Sequence, residues 1–168
     1  MVDIALSRSP IMSVDPSLPP ALAKIVKRFQ SITDTKRRYE YLLWFAKQLP
    51  PFPEADKQPD NKVVGCVSQV YVTATIENGL VHFQGDSDAQ MTKGLVGLLI
   101  KGLDGLPPEQ IARVTPDFIQ QTGLNVSLTP SRANGFYNIF TTLQQLALTL
   151  SAASSDSFPT QQLEDTVD

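Results

Sequence analysis

The sequence predicts an α+β fold, a small antiparallel β-sheet built on one hairpin and packed against several α-helices. Residues 70–76 alternate apolar and polar side chains and run into Asn78-Gly79, the dipeptide that most strongly favours a two-residue hairpin turn. Around this hairpin, other stretches repeat apolar residues at the helical period. A length of 168 residues suits a single domain, expected over residues 20–150, with a flexible N-terminal tail over 1–19 and a flexible acidic C-terminal tail over 151–168.

The elements follow in chain order. Residues 1–19 contain Pro10 and Pro16 and show no helical or strand period. Pro19-Pro20 suits a helix start, and Leu22, Ile25, Val26 and Phe29 then form an amphipathic stripe. Asp34 is the expected N-cap of a second helix reaching about Gln48. Tyr39, Leu42, Leu43 and Ala46 make its stripe, and Tyr41, Trp44 and Phe45 widen it, so this helix should be packed from more than one side. Pro50, Pro51, Pro53 and Pro59 make 49–61 a loop. A loop at 78–79 pairs Glu77 with Leu80, Ile76 with Val81, Ala74 with Phe83 and Tyr71 with Asp86. The core face is then Val70, Val72, Ala74, Ile76, Val81 and Phe83, and the outer face Tyr71, Thr73, Thr75, His82 and Gln84. The return strand should end at Gly85. Asp86, Ser87 or Asp88 should cap a third helix carrying Met91, Leu95, Leu98, Leu99 and Leu103. Pro107-Pro108 and Thr115-Pro116 open two short helices, the second ended by Gly123. The last helix starts near Thr129-Pro130, with Phe136, Ile139, Phe140, Leu143, Leu146, Ala147 and Leu150 on its stripe.

Composition excludes several function classes. Lys and Arg number 14 and Asp and Glu 17, a net charge of −3, which argues against nucleic acid as the main ligand. The longest apolar run, residues 94–100, is far short of the roughly 20 residues a membrane helix needs. The N-terminus carries no secretory pattern, so a cytoplasmic location is expected. One cysteine and one histidine cannot supply an intrachain disulfide, a Cys-x-x-Cys pair or a four-ligand zinc site, so no metal site is expected. Positive charge concentrates at residues 21–50. Lys36, Arg37 and Arg38, with Lys24, Lys27, Arg28 and Lys47, read either as solvated helix faces or as a docking surface for an acidic partner.

Any covalent sulfur chemistry therefore falls to Cys66. It follows Gly65, which permits a sharp turn, and precedes the first strand, so the thiol sits at a loop-to-strand junction. A small buried hydrophobe is the competing reading, since free cysteine is among the most buried residues. His82, opposite Thr75, lies nine residues along the strand from Cys66, on the order of 30 Å, which makes a Cys–His dyad untenable. The return strand brings Asp86, Asp88 and the next helix start back toward the Cys66 end. The helix N-terminus favours a thiolate and the aspartates oppose it. The aspartates also read as helix caps, and Arg132 as a solvated side chain. No phosphate loop or dinucleotide fingerprint is present.

Gly65-Cys66-Val67-Ser68-Gln69-Val70-Tyr71, Gly85-Asp86-Ser87-Asp88-Ala89, Lys93-Gly94-Leu95 and Pro130-Ser131-Arg132-Ala133-Asn134-Gly135 together resemble, in order and spacing, the SufE family over about residues 20–150. Tyr71 stands where many of its members carry tryptophan. The resemblance implies a SufE/IscU-like fold and a role as sulfur acceptor and carrier in iron–sulfur cluster assembly. Cys66 would take persulfide sulfur from a SufS-type, pyridoxal-phosphate-dependent cysteine desulfurase, stimulate its turnover and pass the sulfur to a SufBCD-type scaffold. It implies no cofactor of the chain's own, an accessory protein rather than a free-standing enzyme, and a resting thiol tucked into an apolar pocket. Gly65, Ser68, Gln69, Asp86, Asp88 and Arg132 become supporting residues. A weak homodimer stays open. The competing readings are a stand-alone thiol enzyme, such as a peroxidase or acyl transferase, and an interaction module with a structural cysteine.

Overall fold

The computed structural model describes residues 17–155. Helices α1 (Pro20–Ser31) and α2 (Thr35–Gln48) precede a proline-rich segment with two 3-10 turns, Glu54–Asp56 and Pro59–Asn61. Strands β1 (Val70–Glu77) and β2 (Leu80–Ser87) form a two-stranded antiparallel sheet. Helix α3 (Gln90–Leu103) follows, then three short helices, α4 (Pro108–Arg113), α5 (Asp117–Gln121) and α6 (Leu124–Ser127), and finally the 26-residue α7 (Pro130–Ser155). The fold is α+β, as expected. None of these helices is long and apolar enough to cross a membrane.

Local chemistry explains the element boundaries. Pro20 opens α1 at a position that needs no N–H donor. The Asp34 carboxylate caps α2 by accepting from Lys36 N at 3.1 Å. The hairpin register is the expected one, Glu77 opposite Leu80 through Tyr71 opposite Asp86, because Asn78 and Gly79 both adopt positive φ, as the turn requires. The pairing extends one pair beyond Tyr71 and Asp86, to Val70 opposite Ser87. Val70, Val72, Val81 and Phe83 are buried, whereas Ala74 and Ile76 are only half-buried toward the turn of the hairpin.

The third helix is not capped by Asp86, Ser87 or Asp88 as expected. Its N-cap is Ala89, and no side chain caps it. Leu18, expected in the N-terminal tail, packs into the core. Helix α7 continues through Ser155, so the expected boundary at residue 150 falls inside a helix. The rest of both expected tails, 1–16 and 156–168, lies outside the described residues.

α3 is the centre of the core. Nearly every side chain from Thr92 to Leu99 is buried, with α1, α2, α7 and β2 packed around it. Its closest neighbour is α2. A Cβ placed on Gly94 would lie 2.4 Å from Leu42 O, and one on Gly97 would lie 2.4 Å from Phe45 O. The two glycines sit one turn apart on the face against α2 and let the backbones meet. Replacing either with alanine should destabilise the protein by about 1–3 kcal/mol from overpacking, outweighing the gain of roughly 1 kcal/mol in helix propensity. Urea unfolding of Gly94→Ala and Gly97→Ala checks this: the midpoint falls with little change in slope.

Candidate functional site

Cys66 stands on a loop, residues 64–69, closed at its base by the backbone. Val63 N donates to Val70 O at 2.8 Å, so the loop enters and leaves at one point of the sheet. Beside this closure Asp88 pairs twice with Gln69. Its carboxylate accepts from Gln69 N at 2.9 Å, and its own N–H donates to Gln69 O at 3.2 Å. Ser68 Oγ and Thr92 Oγ1 are 3.3 Å apart, linking the loop to the first turn of α3. On the other side Asn138 of α7 donates from Nδ2 to Gly65 O at 2.9 Å. Gly65 has φ +83°, and a Cβ there would lie 2.5 Å from that same Nδ2. Glycine is thus required both for the turn and for the approach of Asn138.

The thiol itself is half-buried. Its Sγ lies 3.8 Å from Gly135 O, a weak S–H···O contact in reach of the first turns of α7. A pocket of about 220 Å³ opens beside it, lined by Cys66, Val67, Ser68, Thr92, Thr129, Ser131, Arg132 and Gly135. Its exposed lining is more apolar than polar, in line with the expected apolar pocket, although four hydroxyl-bearing residues and one arginine stand among the lining residues. Burial pushes the Cys66 pKa up from its ordinary value, because a thiolate loses more hydration than a thiol. The cause is desolvation, neither the helix N-terminus nor the aspartates weighed from the sequence. On the outside of the loop Val64 and Val67 point into solvent, 86% and 87% exposed.

The structure sorts the expected site residues into three groups. Cys66, Ser68 and Arg132 meet at the pocket. Gly65, Gln69 and Asp88 shape the loop through their backbones or, for Asp88, as a loop clasp rather than a helix cap. Asp86 does not face the thiol. It sits on β2 and holds Lys57 at 3.5 Å and Lys93 at 3.3 Å, tying the proline-rich segment to α3. Of the basic trio, Lys36 and Arg37 are exposed, but Arg38 is not free to dock a partner. Its Nε donates to Ile32 O at 2.8 Å and its Nη1 to Ser127 Oγ at 3.1 Å, bracing α2 against the end of α6. Tyr39 adds a hydrogen bond to Ser127 O. His82, as expected, is far along the sheet, with Nδ1 3.3 Å from Asp104 Oδ2. Thr92, Thr129, Ser131, Gly135 and Asn138 escaped sequence reasoning as site residues. Among the described residues no cluster of three or more His, Cys, Asp or Glu is placed to hold a metal ion.

This arrangement, a single thiol on a pinned loop over an α+β core, defines a class: a small α+β domain that presents one thiol. The family description "SufE: Fe-S metabolism associated domain" matches residues 23–147, so the chain belongs to the SufE family. An uncharacterised SufE-like protein of Synechocystis is 59% identical over 145 residues, covering 86% of this chain and 91% of the relative. A protein of Plasmodium vivax called cysteine desulfuration protein SufE is 39% identical, and the match spans 79% of this chain but 55% of that relative. The solution structure of a hypothetical protein from Thermus thermophilus superposes with a TM-score of 0.70 at 29% identity, covering 80% of this chain and 98% of the other.

The Asn138 tie has a measurable consequence. Alkylation of resting Cys66 by iodoacetamide should rise with pH about a midpoint above the ordinary thiol value, since burial disfavours the thiolate. In Asn138→Ala the loop loses that tie, so the midpoint should fall and the rate near neutral pH should increase. A variant with the wild-type profile would refute the latch.

Proposed function

We propose that this chain is a persulfide carrier. Cys66 takes sulfur from a SufS-type, pyridoxal-phosphate-dependent cysteine desulfurase, raises that enzyme's turnover and delivers the sulfur to a SufBCD-type scaffold. The observation that carries the reading is the placement of the chain's only cysteine on the pinned loop of a SufE-family domain. The name of the Plasmodium relative, a cysteine desulfuration protein, supports a desulfurase as donor.

The transfer is a thiol–persulfide exchange. Cys66 gives up its proton, and its thiolate attacks the terminal sulfur of the donor persulfide in line with the S–S bond. That bond breaks, the donor cysteine leaves as a thiolate, and Cys66 holds the persulfide. One S–S bond forms as another breaks, so no external oxidant or reductant enters. The chain has no second cysteine with which to discharge the persulfide as an intrachain disulfide. Pyridoxal phosphate belongs to the donor enzyme, and the exchange asks for no cofactor on this chain.

A half-buried thiol of raised pKa is a poor nucleophile at neutral pH, so in this reading the docked partner draws the loop out and the thiolate forms at the moment of transfer. The same burial argues against a peroxidase, which needs a low-pKa thiol at rest. Arg132, in the pocket wall, is suited to steadying the anionic sulfur. Lys36 and Arg37 remain exposed to attract an acidic partner surface.

Incubation with a SufS-type desulfurase, pyridoxal phosphate and cysteine, followed by intact mass measurement without reductant, tests the reading. The wild-type chain should gain about 32 Da, one sulfur atom, and should speed alanine release. Cys66→Ser should gain nothing while unfolding within about 0.5 kcal/mol of wild type. A wild-type chain that gains no mass would overturn the carrier function.

A further inference from the structure

Away from the Cys66 pocket, an apolar hollow of about 720 Å³ lies between α1, α2 and the last turn of α3. Ile25, Tyr41, Trp44 and Phe45 supply its apolar lining. Trp44 is the chain's only tryptophan and is 45% exposed, although its ring packs edge-on against Phe45 with centroids 5.1 Å apart. Lys24, Lys27, Arg28 and Lys101 stand around this lining. All four are exposed, and no carboxylate lines the hollow. The first three follow the i, i+3, i+4 spacing and share one face of α1. Among the described residues none of the four forms a salt bridge. This concentration of positive charge occurs on a chain whose net charge is −3. The adjoining hollow, which shares Arg28, Tyr41 and Trp44, contains Asp34 and Glu40 beside Arg37, so the uncompensated charge lies on the α1–α3 side.

We infer that this hollow docks an acidic segment of a partner protein, with one bulky apolar side chain seated against Trp44 and Phe45 and flanking carboxylates reaching the four cations. The concavity favours an inserted side chain over a planar lipid surface, and the unmatched cations select the sign of the partner's charge. The surface is separate from the sulfur site. Thr92, in the first turn of α3, lines the Cys66 pocket, whereas Lys101, nine residues on, lines the hollow. The helix rise places them about 14 Å apart along the axis. A partner held at the hollow leaves the Cys66 loop uncovered. The inference rests on this geometry and stands whether or not Cys66 carries sulfur.

Trp44 provides the readout. The full chain is titrated at low salt with a short synthetic peptide of Glu and Asp flanking a single Leu, while Trp44 emission is followed. A saturable blue shift is expected, weakened about tenfold or more in Lys24→Glu/Lys101→Glu and by added salt, but unchanged in Lys62→Glu, a substitution of an exposed lysine outside the hollow. An absent shift, or an equal one with the charge-reversed peptide, would overturn the assignment. So would a shift produced by phosphatidylglycerol vesicles and not by the peptide, which would make the surface a lipid contact. Emission of the free chain that changes with dilution or salt would mean that a second copy or the chain's own termini already occupy the hollow, and would likewise overturn it.

Discussion

The close crossing of α2 and α3 is the contact on which the rest of the molecule depends. Gly94 and Gly97 bring α3 against the backbone oxygens of Leu42 and Phe45. Only at that distance can α3 be buried by α1, α2, α7 and β2 together. The first turn of α3 then supplies Thr92 to the sulfur pocket, and its last turn supplies Lys101 to the basic hollow. Dispersion and burial, summed along this one helix, hold two surfaces in a fixed relation that neither strand nor loop could fix alone.

The Cys66 loop obeys a different logic from the core. Its position is set by a few hydrogen bonds: Val63 to Val70, the paired Gln69 and Asp88, and Asn138 to Gly65. Each has a net worth of about 0.5–1.5 kcal/mol, more where a carboxylate accepts. Such a loop is well placed on average yet inexpensive to displace, in contrast to side chains interlocked around α3. The raised pKa of the thiol comes from the same placement, since the burial that shields Cys66 also withholds its charge.

Much of the fold was legible in the sequence because its determinants are local. Asn78-Gly79 sets the hairpin register, Asp34 marks the start of α2, and Pro20 and Pro130 mark two further starts. The misread residues are those whose local pattern has two meanings. Asp88, just before a helix, carries the signature of a cap, but its carboxylate finds Gln69 N across the sheet. Arg38 looks like part of a basic surface run until tertiary packing sets Ser127 and Ile32 O beside it. Asn138 carries no signal at all, and Gly135 lies in a motif that does not reveal its contact, because their approach to Gly65 and Cys66 depends on how α7 lies against the loop some seventy residues earlier. Cys66 was identifiable by being the only residue able to do the chemistry, and by the motifs around it.

Val64 and Val67 give the loop one more property. Both flank the cysteine and are almost fully in water. Covering a valine completely is worth on the order of 1.5 kcal/mol or more, so covering two of them rivals the ties that hold the loop down. A partner surface that covers both valines therefore offsets the cost of drawing the loop out, and it does so through shape and dryness rather than charge. A small solute can reach the thiol only on the resting terms, whereas a surface that fits both valines changes those terms as it binds. On the carrier reading, hydrophobic contact with the partner precedes any bond to sulfur.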